Sequence, residues 1–204
     1  MATLRESLFL TEDGISVFSL FGRDCHDENM EFIVYKLNQN PRIKDARFIN
    51  GFLTNKGAKI LAGLKYVTSL CLHKNNIGDD GVIDLMANTN FTDIDLNRNN
   101  IGDIGAKALS TSTTIETICL STNPKITIRG VTDLAYGQSF RTIVLYDSGI
   151  TNKDEIRDIF YKKRIKLVED LIMLKDGEEA LLFDCDDLNR IVCGYLKYYT
   201  EIHL

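Results

Sequence analysis

The sequence predicts an α/β solenoid of about six stacked β-α repeats with a helical cap at its C-terminal end. Three observations carry that reading. The stretch VTSLCLHKNNIGDDG at 67–81 recurs 24 positions on as FTDIDLNRNNIGDIG at 91–105. The period continues outward, with strand starts at Ile43, Val67, Phe91, Ile115 and Phe140, spaced 24, 24, 24 and 25 apart. Inside each copy, apolar residues first alternate and then fall three apart, a strand followed by a helix. Self-similarity at a fixed period of this length marks stacked supersecondary units, none of which buries its apolar face alone.

In chain order, a divergent first copy starts at Ile15, where Ile15, Phe18 and Leu20 repeat the apolar offsets, and runs 28 residues to Ile43. Alternation then points Ala46 and Phe48, Leu70 and Leu72, Ile94 and Leu96, Ile118 and Leu120, and Ile143 and Leu145 inward. Asn75, Asn99 and Asn123 follow the strands where the chain turns, and a buried amide there can bond free backbone groups of its own and the next coil. Leu53, Ile77, Ile101 and Ile150 re-enter the core. Asp79 and Asp103 stand where they would cap the helices that follow. Those helices contain 57–61, 81–85, 105–109 and 130–134, with pairs such as Ala106 and Leu109 on the inner face. Pro124 accounts for the one 25-residue spacing.

The period breaks after Ile150. Thr151 and Asn152 read as the cap of a helix from Lys153, with Ile156, Ile159 and Phe160 inward. The basic stretch Lys162–Lys166 follows. A last helix, about Asp186 to Tyr199, places Leu188, Ile191, Val192, Tyr195, Leu196 and Tyr199 on one face. The expected organisation is an N-terminal cap with the divergent repeat (1–42), the repeats (43–160) and a C-terminal helical cap (161–204).

Composition narrows the function. The net charge of −5 and the lack of a Lys/Arg stripe argue against nucleic acid. No apolar run approaches the ~20 residues of a membrane span. The N-terminal stretch lacks a long apolar segment and carries acids, which argues against a secretory signal. Five cysteines at unrelated spacings point to a reducing, cytoplasmic setting without disulfides. Three scattered histidines make no metal set, and no cofactor is expected.

The wording N-x-I-G-x-x-G-A-x-x-L at 99–109 resembles the ribonuclease-inhibitor class of leucine-rich repeats. The short period and GAKAL at 105–109 are most similar to its GALA-like subclass. The resemblance covers 43–160 and, more weakly, 15–42. It implies a right-handed curved solenoid, with parallel strands on the concave face, helices on the convex face, and a protein partner bound on the concave side. Short proteins of this kind resemble leucine-rich repeat effectors that intracellular bacterial pathogens deliver into host cells. The acid-bearing segment 177–187 is compatible with type IV delivery.

On that fold, specificity lies in the strand positions between the inward residues. The candidate partner-binding residues are Arg47, Ile49, Cys71, His73, Lys74, Asp93, Asp95, Asn97, Arg98, Ser121 and Tyr146, a mixed-charge patch in which Tyr146 and His73 are the anchors. Six strands at ~4.8 Å, each showing about four residues, give roughly 300 Å² in plan, against ~800 Å² per partner in a standard interface. The expected function is therefore a non-enzymatic interaction scaffold whose partner also touches the turns or the cap. Two alternatives stand beside it. One is an enzyme or an accessory to a GTPase, for which Cys71, His73 and Asp95 could be drawn as a site. The other is binding of a partner or a membrane surface through the basic C-terminal region.

Overall fold

A computed structural model of the chain describes residues 7–10, 16–137, 139–146, 155, 159, 166–167, 174–175, 178–179 and 181–184. Six strands, β2 (Ser16–Phe21), β3 (Ile43–Ile49), β4 (Ser69–Cys71), β5 (Asp93–Asp95), β6 (Thr117–Cys119) and β7 (Thr142–Leu145), pair in parallel in chain order. Between them run α1 (Asp27–Leu37), α2 (Asn55–Leu61), α3 (Asp79–Leu85), α4 (Asp103–Ser110) and α5 (Ile128–Ala135). This is an α/β solenoid of stacked strand-helix coils. Its register reproduces the sequence period: Val17 pairs with Asp45, 28 residues on, Asp45 with Ser69 and Ser69 with Asp93, each 24 on, and Thr117 with Thr142, 25 on. The strand β1 (Ser7–Leu10) adds antiparallel to β2 and was not anticipated.

The inward positions are those alternation selected. Ala46, Phe48, Leu70, Leu72, Ile94, Leu96, Ile118, Leu120, Ile143 and Leu145 are all buried, as are Leu53, Ile77 and Ile101. Helix α1 seals the first coil with Met30, Ile33, Val34 and Leu37, while Phe18 and Phe48 pack with ring centroids 5.7 Å apart.

Asparagines tie the coils together. The Asn99 amide donates to the carbonyls of Leu72 (3.0 Å), Leu96 (3.1 Å) and Asn97 (3.2 Å), and its oxygen accepts from the Ile77 N–H at 3.0 Å. Asn123 repeats the arrangement one coil on, bonding Leu96, Leu120 and Ser121 and accepting from Ile101. Each side chain therefore satisfies backbone groups in its own coil and the one before, as the turn position requires.

The aspartates differ from expectation. Asp79 and Asp103 do not cap their own helices; the N-caps of α3 and α4 are Gly78 and Gly102, which offer no side-chain bond. Asp79 Oδ1 instead accepts the N–H groups of Gly102 (2.6 Å) and Gly105 (3.0 Å) in the next coil. Asp103 likewise accepts from Thr127 and Gly130, Asp27 from Thr54, and Asn55 from Gly78. The first helical position of one coil lies beside the start of the next helix, so the carboxylate meets N–H groups that have no intrahelical acceptor. Such closeness needs glycine: a Cβ on Gly105 would stand 2.7 Å from Asp79 Oδ1 and 2.8 Å from Ile101 Cγ2.

The C-terminal end adds strands that the sequence reading did not include. Where a helical cap was expected, the described residues form strands: β8 (Lys166–Leu167), β9 (Leu174–Lys175), β10 (Glu178–Glu179) and β11 (Leu181–Asp184). Strand β11 lies antiparallel on β7, pairing Leu182 with Val144 and Asp184 with Thr142, and β8 pairs with β11. An open parallel sheet ends in a row of unpaired N–H and C=O groups, and a short antiparallel strand satisfies them as a helix cannot. Glu155 and Ile159 are helical, and Ile159 packs on the core, in line with the helix expected from Lys153. Ile150 and the expected helix at 186–199 lie outside the described residues.

Candidate functional site

The sheet face away from the helices carries the strand positions that lie between the inward residues. Register places Asp45, Ser69, Asp93, Thr117 and Thr142 in one row, and Arg47, Cys71, Asp95, Cys119 and Val144 in the next. Much less of this face is open than six strands would offer. Val17 and Ser19 on β2, Thr117 and Cys119 on β6, and Thr142 and Val144 on β7 are all buried. The window is therefore β3 to β5, where Asp45, Arg47, Ser69, Cys71, His73, Asp93 and Asp95 are half-buried.

Two of the expected contact residues are excluded by burial. Asn97 is 2% exposed and accepts the Ser121 N–H at 2.6 Å; Ser121 is fully buried and its Oγ accepts from the Tyr146 N–H at 3.2 Å. Both side chains serve the stack, because position 97 meets position 121, and 121 meets 146, between neighbouring coils. Lys74 and Arg98 sit on the exposed rim rather than on the flat of the sheet. They occupy left-handed backbone at φ 58° and 56°, matched by Asn50 at 53° and Thr122 at 56°, where each coil turns off the sheet. Ile49 is half-buried beside exposed Phe21, its partner in register, and Tyr146 is half-buried. Sequence reasoning left Asp45 and Ser69 out of the candidate patch, although their strand positions placed them on this face.

Inside the window, Arg47 is already committed. Its Nη2 and Nε bond the Asp45 carboxylate at 2.6, 3.0 and 3.2 Å, a two-pronged pair. Asp95 has no such partner. It accepts the Asn97 N–H at 2.9 Å and the Cys71 thiol at 3.4 Å, and His73 Nδ1 stands 4.0 Å away. Burial raises the Asp95 carboxyl above its ordinary range and holds His73 below its own, with Arg98 and Lys74 adding to the latter. Burial thus outweighs their attraction, and His73 faces Asp95 as neutral imidazole at pH 7.

A raised carboxyl pKa means that ionising Asp95 opposes folding: its favourable term is present below the unfolded value near 4 and is lost as pH rises through the folded value. Asp95→Asn keeps the acceptor for Asn97 and removes the charge. The variant is expected to gain about 2–4 °C in Tm at pH 7–8, roughly 1 kcal/mol for a chain of this size. That gain should shrink as pH falls toward 4. A lower Tm at pH 8 would show that the charge stabilises this site.

The cysteines argue against nucleophilic chemistry. Burial first, then the Asp95 charge, pushes the Cys71 thiol far above the usual thiol range, and burial raises Cys25 to about 12. Cys71 donates to Asp95 rather than to His73, so the imidazole is not placed as its base. In the native protein at pH 8, Cys25, Cys71 and Cys119 are expected to alkylate at least about tenfold more slowly than a free thiol. Alkylation of Cys71 faster than a free thiol would overturn this.

Among the described residues, no group of three or more His, Cys, Asp or Glu side chains could hold a metal, and no helix is long and apolar enough to cross a membrane. One cavity of about 480 Å³ opens beside the strand-to-helix turns, lined by Asn55, Asn76, Gly78, Asp79, Asp80, Asn100, Ile104 and Lys125. Its Asn55 and Asp79 are already spent on bonds between coils.

No curated protein matches the chain. Residues 63–86 and 87–110 each match the family model described as Leucine Rich repeat. The two coils that supply β4 and β5 to the window are leucine-rich repeats.

Proposed function

We propose that the protein is a non-enzymatic interaction scaffold that binds a partner protein on the open face of its sheet. Leucine-rich repeats typically serve that purpose. The observation that carries the reading is the contrast within one face: its flanking strands are buried, while β3 to β5 leave charged side chains partly open to solvent. Residues that differ between near-identical repeats, such as Cys71, His73 and Lys74 against Asp95, Asn97 and Arg98, serve recognition only where they are not buried, which removes Asn97 and leaves Cys71, His73, Lys74, Asp93, Asp95 and Arg98. The alternative enzyme reading is disfavoured by the protonated Cys71 and by a shallow sheet that does not exclude water.

Capture from cell extract by the tagged chain, read by mass spectrometry, tests the site. A specific partner is expected to fall by about tenfold or more with Asp93→Lys or Arg98→Glu, since reversing a contact charge costs more than 1.4 kcal/mol. Undiminished recovery by both variants would remove this face from consideration. Delivery into a host cytosol by a type IV system is the finer form of the proposal, resting on the likeness of these short repeats to bacterial effectors and on the acidic segment 177–187. A translocation reporter fused to the chain decides it: a signal unchanged when the secretion system is disabled counts against delivery.

A further inference from the structure

The size and charge layout of the window restrict what can occupy it. Three strands at ~4.8 Å span only about 10 Å between the outer two. A standard interface needs ~800 Å² on each side, so this window holds one extended segment rather than a broad surface. Its charges are ordered along the strand direction. Asp93 and Asp95 lie on the flat of the sheet, and Lys74 and Arg98 stand on the rim where β4 and β5 end. Among the described residues, Asp93 accepts from the Thr92 hydroxyl at 2.6 Å and neither Asp93 nor Asp95 pairs with a Lys or Arg. Lys74 and Arg98 have no ion-pair partner among the described residues. Two half-buried acids on the same strand face, with no Lys or Arg paired to them among the described residues, gain most from a cation brought by the ligand, where water is already partly excluded.

We propose that the window binds an extended peptide segment carrying a basic residue, seated on Asp93 and Asp95, and an acidic residue two positions away, seated on Lys74 and Arg98. The spacing follows from geometry: residues two apart in an extended chain share a face and lie about 7 Å apart. The proposal rests on the scaffold reading and names the chemistry of the partner. It also predicts a conflict between stability and binding at Asp95, the residue whose neutralisation is expected to raise Tm.

The test uses three end-capped, fluorescently labelled Gly/Ser peptides bearing Arg-Ser-Glu, Arg-Ser-Ser or Ser-Ser-Glu, titrated with the full chain at low salt and read by anisotropy. The doubly charged peptide is expected to bind about tenfold tighter than either singly charged one, a difference of 1.4 kcal/mol. Asp95→Asn should remove the advantage over the acidic peptide, and the pair Lys74→Ser and Arg98→Ser the advantage over the basic peptide. Raising salt should weaken all of it. Equal binding by all three, an advantage that survives in the variants, or no binding by any would overturn the proposal. The scaffold reading has a separate fate. If the peptides fail but a captured partner still depends on Asp93 and Arg98, only the peptide chemistry falls; if capture is also indifferent to them, both fall.

Discussion

Asn99→Ala is expected to lower the unfolding free energy by about 3–5 kcal/mol, because it orphans several buried backbone groups at once. The Asn99 side chain meets three carbonyls and one N–H, and it is 5% exposed, so water cannot replace what is lost. A single unsatisfied buried group costs about 1–3 kcal/mol, and the mutation also leaves a small void. Asn99→Asp separates the two halves of the role. It keeps an acceptor for Ile77 but replaces the donors with a carboxylate aimed at three carbonyl oxygens, so its loss at pH 7 should match or exceed that of alanine. Part of it should return in acid, as the carboxyl takes up a proton. Asn75 is half-buried, and Asn75→Ala should cost less. Urea unfolding measures all three, with an unchanged slope as the sign that the same surface is exposed. A loss below about 1 kcal/mol for Asn99→Ala would mean that the ladder contributes little to this fold.

The same asparagines show what was legible in the sequence. A residue that must satisfy backbone in two coils has to recur once per coil, so Asn75, Asn99 and Asn123 were found by period alone. Inward Leu and Ile positions were found in the same way, since both the strand alternation and the repeat select them. Helix α1 was missed although Met30, Ile33, Val34 and Leu37 have helical spacing; it stands in the divergent copy, where nothing repeats to draw attention to it. Asn97 and Ser121 obey the strand alternation, which cannot say how tightly neighbouring coils close, and they bond between coils instead of facing out. Strand β11 was not legible for a related reason: Leu181, Leu182 and Phe183 form an apolar run too short to tell strand from helix, and only the open edge of β7 decides it.

Asp103→Ala tests the most instructive of those misreadings. Asp103 opens α4, and its sequence position reads as a cap for that helix. Its carboxylate instead accepts the Thr127 N–H at 2.7 Å, the Thr127 hydroxyl at 2.6 Å and the Gly130 N–H at 3.1 Å, all at the start of α5. Losing charge-assisted bonds to a helix start should cost about 2 kcal/mol. Asp103→Asn, which retains an acceptor oxygen, should cost less than about 1 kcal/mol. In a linear stack each coil leans only on its neighbours, so the damage should stay local. Native-state amide exchange reads its location. Thr127 and Gly130 should exchange faster in Asp103→Ala, while Gly105, whose N–H is held by Asp79 at 3.0 Å, keeps its protection. The converse pattern, with exchange quickened at 103–105 and unchanged at Thr127 and Gly130, would restore the reading in which each aspartate caps its own helix. It would also remove the chain of carboxylates as a cause of coil-to-coil order.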